Sequence, residues 1–292
     1  MNSVLVVVAP EAALYRDALM TLGSVIGIYG ATPPKVLSPW EACEWTLPEA
    51  DEGARDVIEQ AMDGIDADWA LLPAEGRRKT LLVADMDSTI IGCECIDELA
   101  DFAGRKAEIS AITERAMRGE LDFEAALTER VAMLKGLPLS ALQQCFDDRV
   151  RLNPGARTLV QTMRAHGARC ALVSGGFTFF TSRVAQLAGF DVERANTLID
   201  DGAALAGAVG QPILGREAKL AALMEESANA PAAAIALGDG ANDLAMIKAA
   251  GLGVAYRAKP IVAAEAGAKI DFTTLETALF YQGYRRAEFS AS

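Results

Sequence analysis

The feature that most constrains this chain is an apolar run that ends in two carboxylates, within residues 80–90, TLLVADMDSTI. Residues 81–84 are all apolar, which predicts a strand buried on both faces of a parallel sheet. Asp85 and Asp87 follow two positions apart, a spacing that places both side chains on one side of an extended chain. Open α/β sheets bind ligands at the carboxyl edge of their strands. Because two buried carboxylates repel each other, we expect a cation or a phosphoryl group beside them.

Composition and charge narrow the classes of function. Of the 292 residues, 51% are apolar, and 27 Lys and Arg against 40 Asp and Glu give a net charge of −13. An acidic chain is repelled by polyanions, so we expect no nucleic-acid partner and no binding to anionic membranes. A single histidine excludes any mechanism that needs two imidazoles. The length predicts about two domains.

Cysteine usage and the N-terminal segment predict a cytoplasmic location. The five cysteines are scattered and have no paired metal-ligand spacing, which favours reduced thiols. The N-terminal segment has no basic residue before Arg16 and only a short apolar run at residues 4–8. We therefore expect neither a signal peptide nor a membrane anchor.

Two further polar motifs follow predicted strands. Residues 168–173 are an apolar-rich segment that ends in SGG at 174–176, where we expect a strand-to-helix turn with exposed backbone amides. Taken alone, this motif is also typical of a plain tight turn. Residues 233–237 lead into GDGAND at 238–243, whose Asp239 and Asp243 can face one cation. A calcium loop is the alternative, although the EF-hand spacing with its distal glutamate is absent.

Taken together, the three motifs resemble those of phosphoserine phosphatases in the haloacid dehalogenase superfamily, over roughly residues 80–275. The resemblance implies that Asp85 attacks phosphorus and that Asp87 protonates the departing serine oxygen and later activates water. It implies that Ser174 and Lys219 bind the phosphoryl group, with Gly175 and Asn242 also contacting the substrate. The implied cofactor is Mg²⁺, held by Asp85, by the main-chain carbonyl of Asp87 and by Asp239, with Asp243 in support.

The resemblance also implies the architecture, an α/β fold with a Rossmann-like parallel sheet and an inserted helical cap. Apolar residues recur at helical spacing from Ile96 to Leu134, which predicts a small helical bundle at about 94–152. A hairpin is expected at residues 192–213 as an addition to the end of the sheet, and a final strand at 253–255. The predicted catalytic domain spans residues 77–292.

Residues 1–76 are predicted to form a separate α+β domain. Predicted strands at 3–8, 35–37, 43–46 and 68–72 alternate with helices at 12–22 and 53–62, which is the βαββαβ order of a ferredoxin-type, ACT-like domain. This domain could be an amino-acid sensor, or it could be a packing or dimerisation module. A homodimer is therefore one of the oligomeric states to test.

The substrate prediction depends on the cap. The resemblance implies that Glu94 holds an ammonium group, that Arg130 holds a carboxylate, and that Met117 and Phe123 are apolar walls. Taken singly, such charged residues are more often solvated helix faces, and Phe123 also belongs to the apolar stripe of its helix. The predicted substrate is O-phosphoserine, in the last step of serine biosynthesis. The alternatives are another small phosphate ester, or transfer of the phosphoryl group to an acceptor such as homoserine.

Overall fold

The computed structural model describes residues 2–118 and 120–290, and its N-terminal part is an antiparallel sheet with two helices. The strands are ordered β2-β3-β1-β4, as in a ferredoxin-type unit, which is consistent with the predicted ACT-like domain. The elements of this part are, in chain order, β1 Ser3–Val8, α1 Ala12–Val25, β2 Lys35–Ser38, β3 Ala42–Leu47, α2 Ala54–Met62 and β4 Asp68–Pro73.

Both faces of the N-terminal sheet are buried. Successive side chains of a strand point to opposite faces, so Leu5 and Val7 pack with α1 and α2 while Val4 and Val6 join the core of the rest of the chain. That second core includes Tyr281 near the C-terminus. The N-terminal unit is thus packed against the rest of the protein through its sheet.

The remaining chain is built on a parallel sheet with the strand order β12-β11-β10-β5-β6-β7. Strand β5 lies near the centre and all of its side chains are buried, as its unbroken apolar run predicts. The predicted α/β fold is therefore confirmed. The strands after β4 are β5 Leu81–Ala84, β6 Arg169–Phe177, β7 Val192–Asn196, β8 Leu198–Asp200, β9 Leu205–Val209, β10 Ala234–Gly238, β11 Leu252–Tyr256 and β12 Ala268–Ile270.

The segment between β5 and β6 is helical, as predicted for the cap. Asp122 caps one of its helices by accepting a hydrogen bond from the Ala125 amide at 2.8 Å. Among the described residues, no helix is long and apolar enough to cross a membrane. The helices after α2 are α3 Cys95–Phe102, α4 Lys106–Met117, α5 Phe123–Ala132, α6 Leu139–Arg149, α7 Ala156–Ala165, α8 Thr178–Ala188, α9 Arg216–Glu226, α10 Leu244–Ala249, α11 Pro260–Ala263 and α12 Thr277–Tyr281.

The sheet differs from the sequence prediction in three details. Strand β6 continues through the SGG motif to Phe177, with a register shift against β7, so the expected strand-to-helix turn at 174–176 is wrong. Strand β12 follows the predicted final strand. The hairpin β8–β9 is a separate two-stranded sheet rather than an addition to the large one.

The hairpin β8–β9 connects the core to the cap. Leu205 donates its amide to the Leu137 carbonyl at 2.9 Å and accepts the Gly136 amide at 2.8 Å. Both cap residues lie in the connection between α5 and α6. These backbone bonds help to fix the position of α5 over the carboxyl edge of the large sheet.

Candidate active site

Neighbouring strands of the large sheet end in buried polar side chains. Asp85 follows β5, Asp239 follows β10, and Ser174 lies near the end of β6. The parallel register pairs Ala84 with Leu237 and with Leu172, so these strands end at the same edge. The fold thus brings the three predicted motifs together.

A tight turn after β5 orients the second carboxylate. Ser88 has a φ of 55°, in the left-handed region, within the turn Met86–Ile90. Asp87 Oδ1 accepts the backbone amide of Cys95 at 2.9 Å. Cys95 is the first residue of α3, where a helix leaves its amides without internal partners. The other oxygen, Oδ2, lies 3.5 Å from Ser174 Oγ.

Lys219 is a buried cation between two carboxylates. Its side chain is fully buried, and Nζ lies 2.7 Å from Asp85 Oδ1 and 2.6 Å from Asp243 Oδ1. Burial alone would lower the lysine pKa, but the two carboxylates outweigh it and hold that pKa above its ordinary value. Lys219 is therefore charged and offsets part of the negative charge at the sheet edge.

Asp243 supports the site from behind. Its Oδ1 binds Lys219, and its Oδ2 accepts the amides of Asp239 and Gly240 at 3.2 and 3.1 Å. Gly238 is required here, because a Cβ on it would lie 2.4 Å from Asp243 Cγ. Both oxygens of Asp243 are thus engaged within the protein, which distinguishes this carboxylate from Asp85 and Asp239.

Burial and mutual repulsion between the carboxylates raise the pKa values of the acidic groups. Burial, followed by the charge of Asp243, raises the pKa of Asp85 to about 7. Burial and the charge of Asp85 raise the pKa of Asp87 to about 6, although the Cys95 amide opposes the change. The pKa of Asp239 is also raised, by burial and then by Asp243. The site holds more negative charge than Lys219 offsets.

This cluster fits a divalent cation. Asp85, Asp239 and Asp243 each offer a carboxylate oxygen, and these oxygens lie within 4.8 Å of one another. Despite its contact with Lys219, Asp85 Oδ1 is buried without a well-aligned hydrogen-bond donor among the described residues. Oxygen-only donors with excess negative charge suit a hard cation. The residues present at this cluster therefore fit a divalent metal ion.

The SGG segment at the end of β6 packs closely against both the carboxylates and the cap. The Gly176 amide donates to Ser174 Oγ at 2.9 Å. A Cβ on Gly176 would lie 2.7 Å from Asp87 Oδ2, and one on Gly175 would lie 2.7 Å from Phe123 Cζ. The two glycines therefore allow approaches that a side chain would block.

A cavity lies between this sheet edge and the cap. Its lining includes Glu94, Phe123 and Arg130 from the cap, and Asp85, Asp87, Ser174, Gly175 and Asn242 from the core. Asn242 Oδ1 is buried and has no hydrogen-bond partner among the described residues. Lys219 and Asp239 are not among the residues that line the cavity, and Lys219 reaches the site through its contact with Asp85.

Two oppositely charged residues face the cavity from the cap. Glu94 precedes α3, accepts the Ser88 hydroxyl at 2.6 Å, and has its pKa raised to about 8 by burial and the charge of Asp87. Arg130 is buried on α5; burial lowers its pKa while Glu94 and Asp97 oppose that change. Phe123 begins the same helix. The predicted wall residue Met117 ends α4, but its side chain lies outside the described part of the chain.

Sequence reasoning missed two polar residues of the cap. Thr113 borders the cavity and is buried, and Asp97 binds its hydroxyl. Lone polar residues on amphipathic helices resemble surface positions, so the sequence carried no signal for them. Sequence reasoning also assigned no role to Thr89, which lies in the turn after β5 and whose hydroxyl donates to Asp239 Oδ1 at 3.2 Å.

Comparison with known proteins gives a family match and several similar proteins. A family model of haloacid dehalogenase-like hydrolases matches residues 82–248. A phosphoserine phosphatase of Polaromonas sp. is 50% identical over 194 residues, covering 64% of this chain and 82% of that protein. A solved hydrolase of the HAD family from Salmonella enterica serovar Typhi has a TM-score of 0.83 at 30% identity, covering 96% of this chain and 98% of its own. A phosphoserine phosphatase solved as a phospho-aspartyl intermediate analogue has a TM-score of 0.65 at 36% identity, covering 70% and 99%.

Proposed function

The chain belongs to the haloacid dehalogenase-like hydrolases, and from this membership we propose that it is a magnesium-dependent phosphoserine phosphatase. The reaction converts O-phosphoserine and water into serine and phosphate, the last step of serine biosynthesis. The observation that carries the proposal is that a carboxyl group, Glu94, and a guanidinium, Arg130, line the cavity that also holds Asp85 and Asp87. That arrangement suits a small zwitterion bearing a phosphoryl group.

Asp85 is the proposed nucleophile. A carboxylate oxygen attacks phosphorus, the bond between phosphorus and the serine oxygen breaks, and the phosphoryl group is left on Asp85 as an acyl phosphate. Lys219, 2.7 Å from Asp85 Oδ1, offsets the negative charge that nucleophile and substrate bring together. We assign the phosphoryl oxygens to Ser174, Gly175 and Asn242 on the cavity wall, with Lys219 acting on them through its charge from behind Asp85.

Asp87 is the proposed general acid and base. Because the Cys95 amide holds Oδ1, its other oxygen is left to face Ser174 and the reacting atoms. A pKa raised to about 6 lets Asp87 carry a proton for the leaving serine oxygen and afterwards accept one from water. That water attacks the phosphorus of the acyl phosphate, phosphate leaves, and the Asp85 carboxylate is restored.

We propose Mg²⁺ as the metal, held by the carboxylates of Asp85 and Asp239 and the main-chain carbonyl of Asp87. Asp243 stays behind them, since both of its oxygens are already engaged. When bound, the ion supplies positive charge that offsets the carboxylates and the phosphoryl oxygens. The preference of Mg²⁺ for hard oxygen ligands supports this assignment over a softer metal.

The cap is proposed to select the substrate. Glu94 holds the ammonium group and Arg130 the carboxylate, while Phe123 provides an apolar wall. An ester that lacks either charged group leaves a buried charge unpaired, which disfavours its transition state. Generic phosphate esters therefore bind only through the groups around Asp85.

We also propose a role for the N-terminal domain. Residues 1–76 act as a packing module for the catalytic domain, residues 77–292, in which about 94–152 form the cap. The burial of both faces of the N-terminal sheet supports this role.

A cytoplasmic location agrees with free thiols at all five cysteines. A homodimer is compatible with the exposed apolar side chains of Val36 and Trp40 at the outer strand β2, and light scattering would test it.

A substrate panel tests the proposed function. Phosphate release is measured with Mg²⁺ from O-phosphoserine, O-phosphothreonine, a sugar phosphate and an aryl phosphate, with and without homoserine as an acceptor. O-phosphoserine is expected to have the highest kcat/KM, with phosphate released in full. A preference for the sugar phosphate, or phosphohomoserine as the main product, would contradict the proposal.

A further inference from the structure

Three cap helices are joined by one buried chain of hydrogen bonds that ends at Arg130. Asp97 lies on α3, Thr113 on α4 and Arg130 on α5. The Thr113 hydroxyl lies 2.6 Å from Asp97 Oδ1, and Arg130 Nη1 donates to Thr113 Oγ1 at 2.9 Å. Thr113 is 3% exposed and Arg130 is 5% exposed, so water cannot replace these partners readily.

The hydroxyl of Thr113 can serve both neighbours at once. A threonine hydroxyl has one proton to donate and two lone pairs that accept. Its proton has two acceptors in reach, Asp97 Oδ1 at 2.6 Å and the Ile109 carbonyl at 3.1 Å, and the shorter contact is to the anion. The lone pairs then accept from Arg130. Asp97 thereby polarises the hydroxyl toward the guanidinium and offsets its charge.

These contacts also determine which edge of the guanidinium is available. Arg130 Nε donates to the Ala126 carbonyl at 3.0 Å and Nη1 to Thr113, so two of its three nitrogens are fixed by the cap. Nη2 makes no hydrogen bond to any residue within 2–118 or 120–290. Since Arg130 lines the cavity, Nη2 is the nitrogen that the protein leaves most available to a ligand.

We infer that Thr113 and Asp97 are positioning residues that set the orientation of Arg130 and thereby the selectivity for a carboxylate-bearing ester. The inference rests on the proposed function for the identity of that ester, O-phosphoserine. Thr113 also borders the cavity, but within the described residues neither it nor Asp97 makes a hydrogen bond to the carboxylates of the sheet edge. Their effect is therefore expected on the part of the substrate that Arg130 contacts.

The test compares Thr113→Val with Thr113→Ser. Valine keeps the shape of threonine but lacks the hydroxyl, whereas serine keeps the hydroxyl. Thr128→Val is the matched control, because Thr128 lies exposed on α5 and its hydroxyl donates only to the Glu124 carbonyl at 2.8 Å. Melting temperatures of all variants are recorded, so that a loss of folded protein is seen directly.

Thr113→Val is expected to lower kcat/KM for O-phosphoserine by about 10-fold to 100-fold, mainly through KM, because a hydrogen bond to a charged group is lost. Turnover of an aryl phosphate should stay within about threefold of the wild type, since that ester does not use Arg130. Thr113→Ser should recover most of the loss, and Thr128→Val should match the wild type. Equal losses on both substrates, or no recovery with serine, would overturn the inference.

A double-mutant cycle tests whether Asp97 acts through Thr113. Asp97→Ala is expected to give the same selective loss, and the double variant with Thr113→Val should be no worse than the more damaging single variant. Losses that multiply would mean that the two residues act independently, which contradicts the proposed chain.

A structural readout separates this inference from the proposed function. If the wild-type enzyme fails to hydrolyse O-phosphoserine, the proposed function is wrong. The positioning role is then decided by a crystal structure of Thr113→Val. A rotated Arg130 guanidinium supports it, and an unchanged one overturns it.

Discussion

Replacing Gly175 by alanine is expected to displace the cap from the position that it has in this structure, which we call the closed state. A Cβ on Gly175 lies 2.7 Å from Phe123 Cζ, whereas ordinary contacts begin at 3.4 Å, so the ring has to move by roughly 0.7 Å. Gly215 also lies close to the ring, since a Cβ built on it would be 3.2 Å from Phe123 Cδ1. Since Phe123 is the first residue of α5, the displacement is expected to reach Arg130 on the same helix.

The size of the effect follows from the cost of overpacking. Inserting a methyl group into a packed site costs about 1–3 kcal/mol. If this cost falls on the closed state, the population of that state drops by about 5-fold to 150-fold. We expect kcat/KM for O-phosphoserine to fall by a factor in that range, measured by phosphate release under subsaturating substrate. The melting temperature should change little if the cap simply stays open.

A shorter side chain at Phe123 provides the internal check. Phe123→Leu in the Gly175→Ala background should recover part of the loss, with a coupling energy of about 1 kcal/mol or more. Gly23→Ala is the matched control, because nothing lies within 4 Å of a Cβ there. Wild-type kinetics for Gly175→Ala, or losses that simply add in the double variant, would refute the argument from the ring contact.

Three further changes test other parts of the account. Arg130→Ala should reduce kcat/KM for O-phosphoserine by about 30-fold to 5,000-fold, because it leaves a buried charge unpaired at a cost of about 2–5 kcal/mol. Turnover of an aryl phosphate should be spared. Equal losses on both substrates would mean that Arg130 serves the fold or binds the phosphate. Exhaustive chelation should abolish activity and added Mg²⁺ should restore it, so full activity after chelation would exclude the metal role. Asp68 is a buried carboxylate that accepts the amides of residues 271–273 at 2.7, 3.2 and 2.9 Å. Asp68→Ala should therefore lower the free energy of unfolding by about 2–4 kcal/mol in urea titrations, and an unchanged midpoint would show that this contact between the N-terminal unit and the core adds no stability.

The sequence was most informative where one physical pattern dominated. Strand β5 has the predicted bounds, because its apolar run is unbroken and ends abruptly in charge. The N-terminal strand β1 also has the predicted bounds, because its apolar run is unbroken and a proline follows closely at residue 10. The predicted strand β6 was too short, because Gly175 and Gly176 are residues that favour turns. In the structure these two glycines instead continue the strand, which passes beneath Phe123.

Packing between distant elements could not be predicted. Lys219 looks like an ordinary surface lysine on an amphipathic helix, yet it is fully buried between two carboxylates. Thr113 and Asp97 are equally unremarkable in the sequence and meet only because α3, α4 and α5 pack together. Strand β12 has three residues, too few to show a periodic pattern. The catalytic and substrate-binding roles assigned to individual residues stay predictions until variants are assayed.

The most direct test of the central claim is to trap the covalent intermediate on Asp85. The enzyme is mixed with O-phosphoserine carrying a labelled phosphoryl group, quenched in acid, and analysed for label bound to protein. The account predicts an acid-stable, base-labile label on the wild type and none on Asp85→Asn, because an amide is a poor nucleophile. A label with the same properties on Asp85→Asn, or turnover without any label on the wild type, would contradict the account.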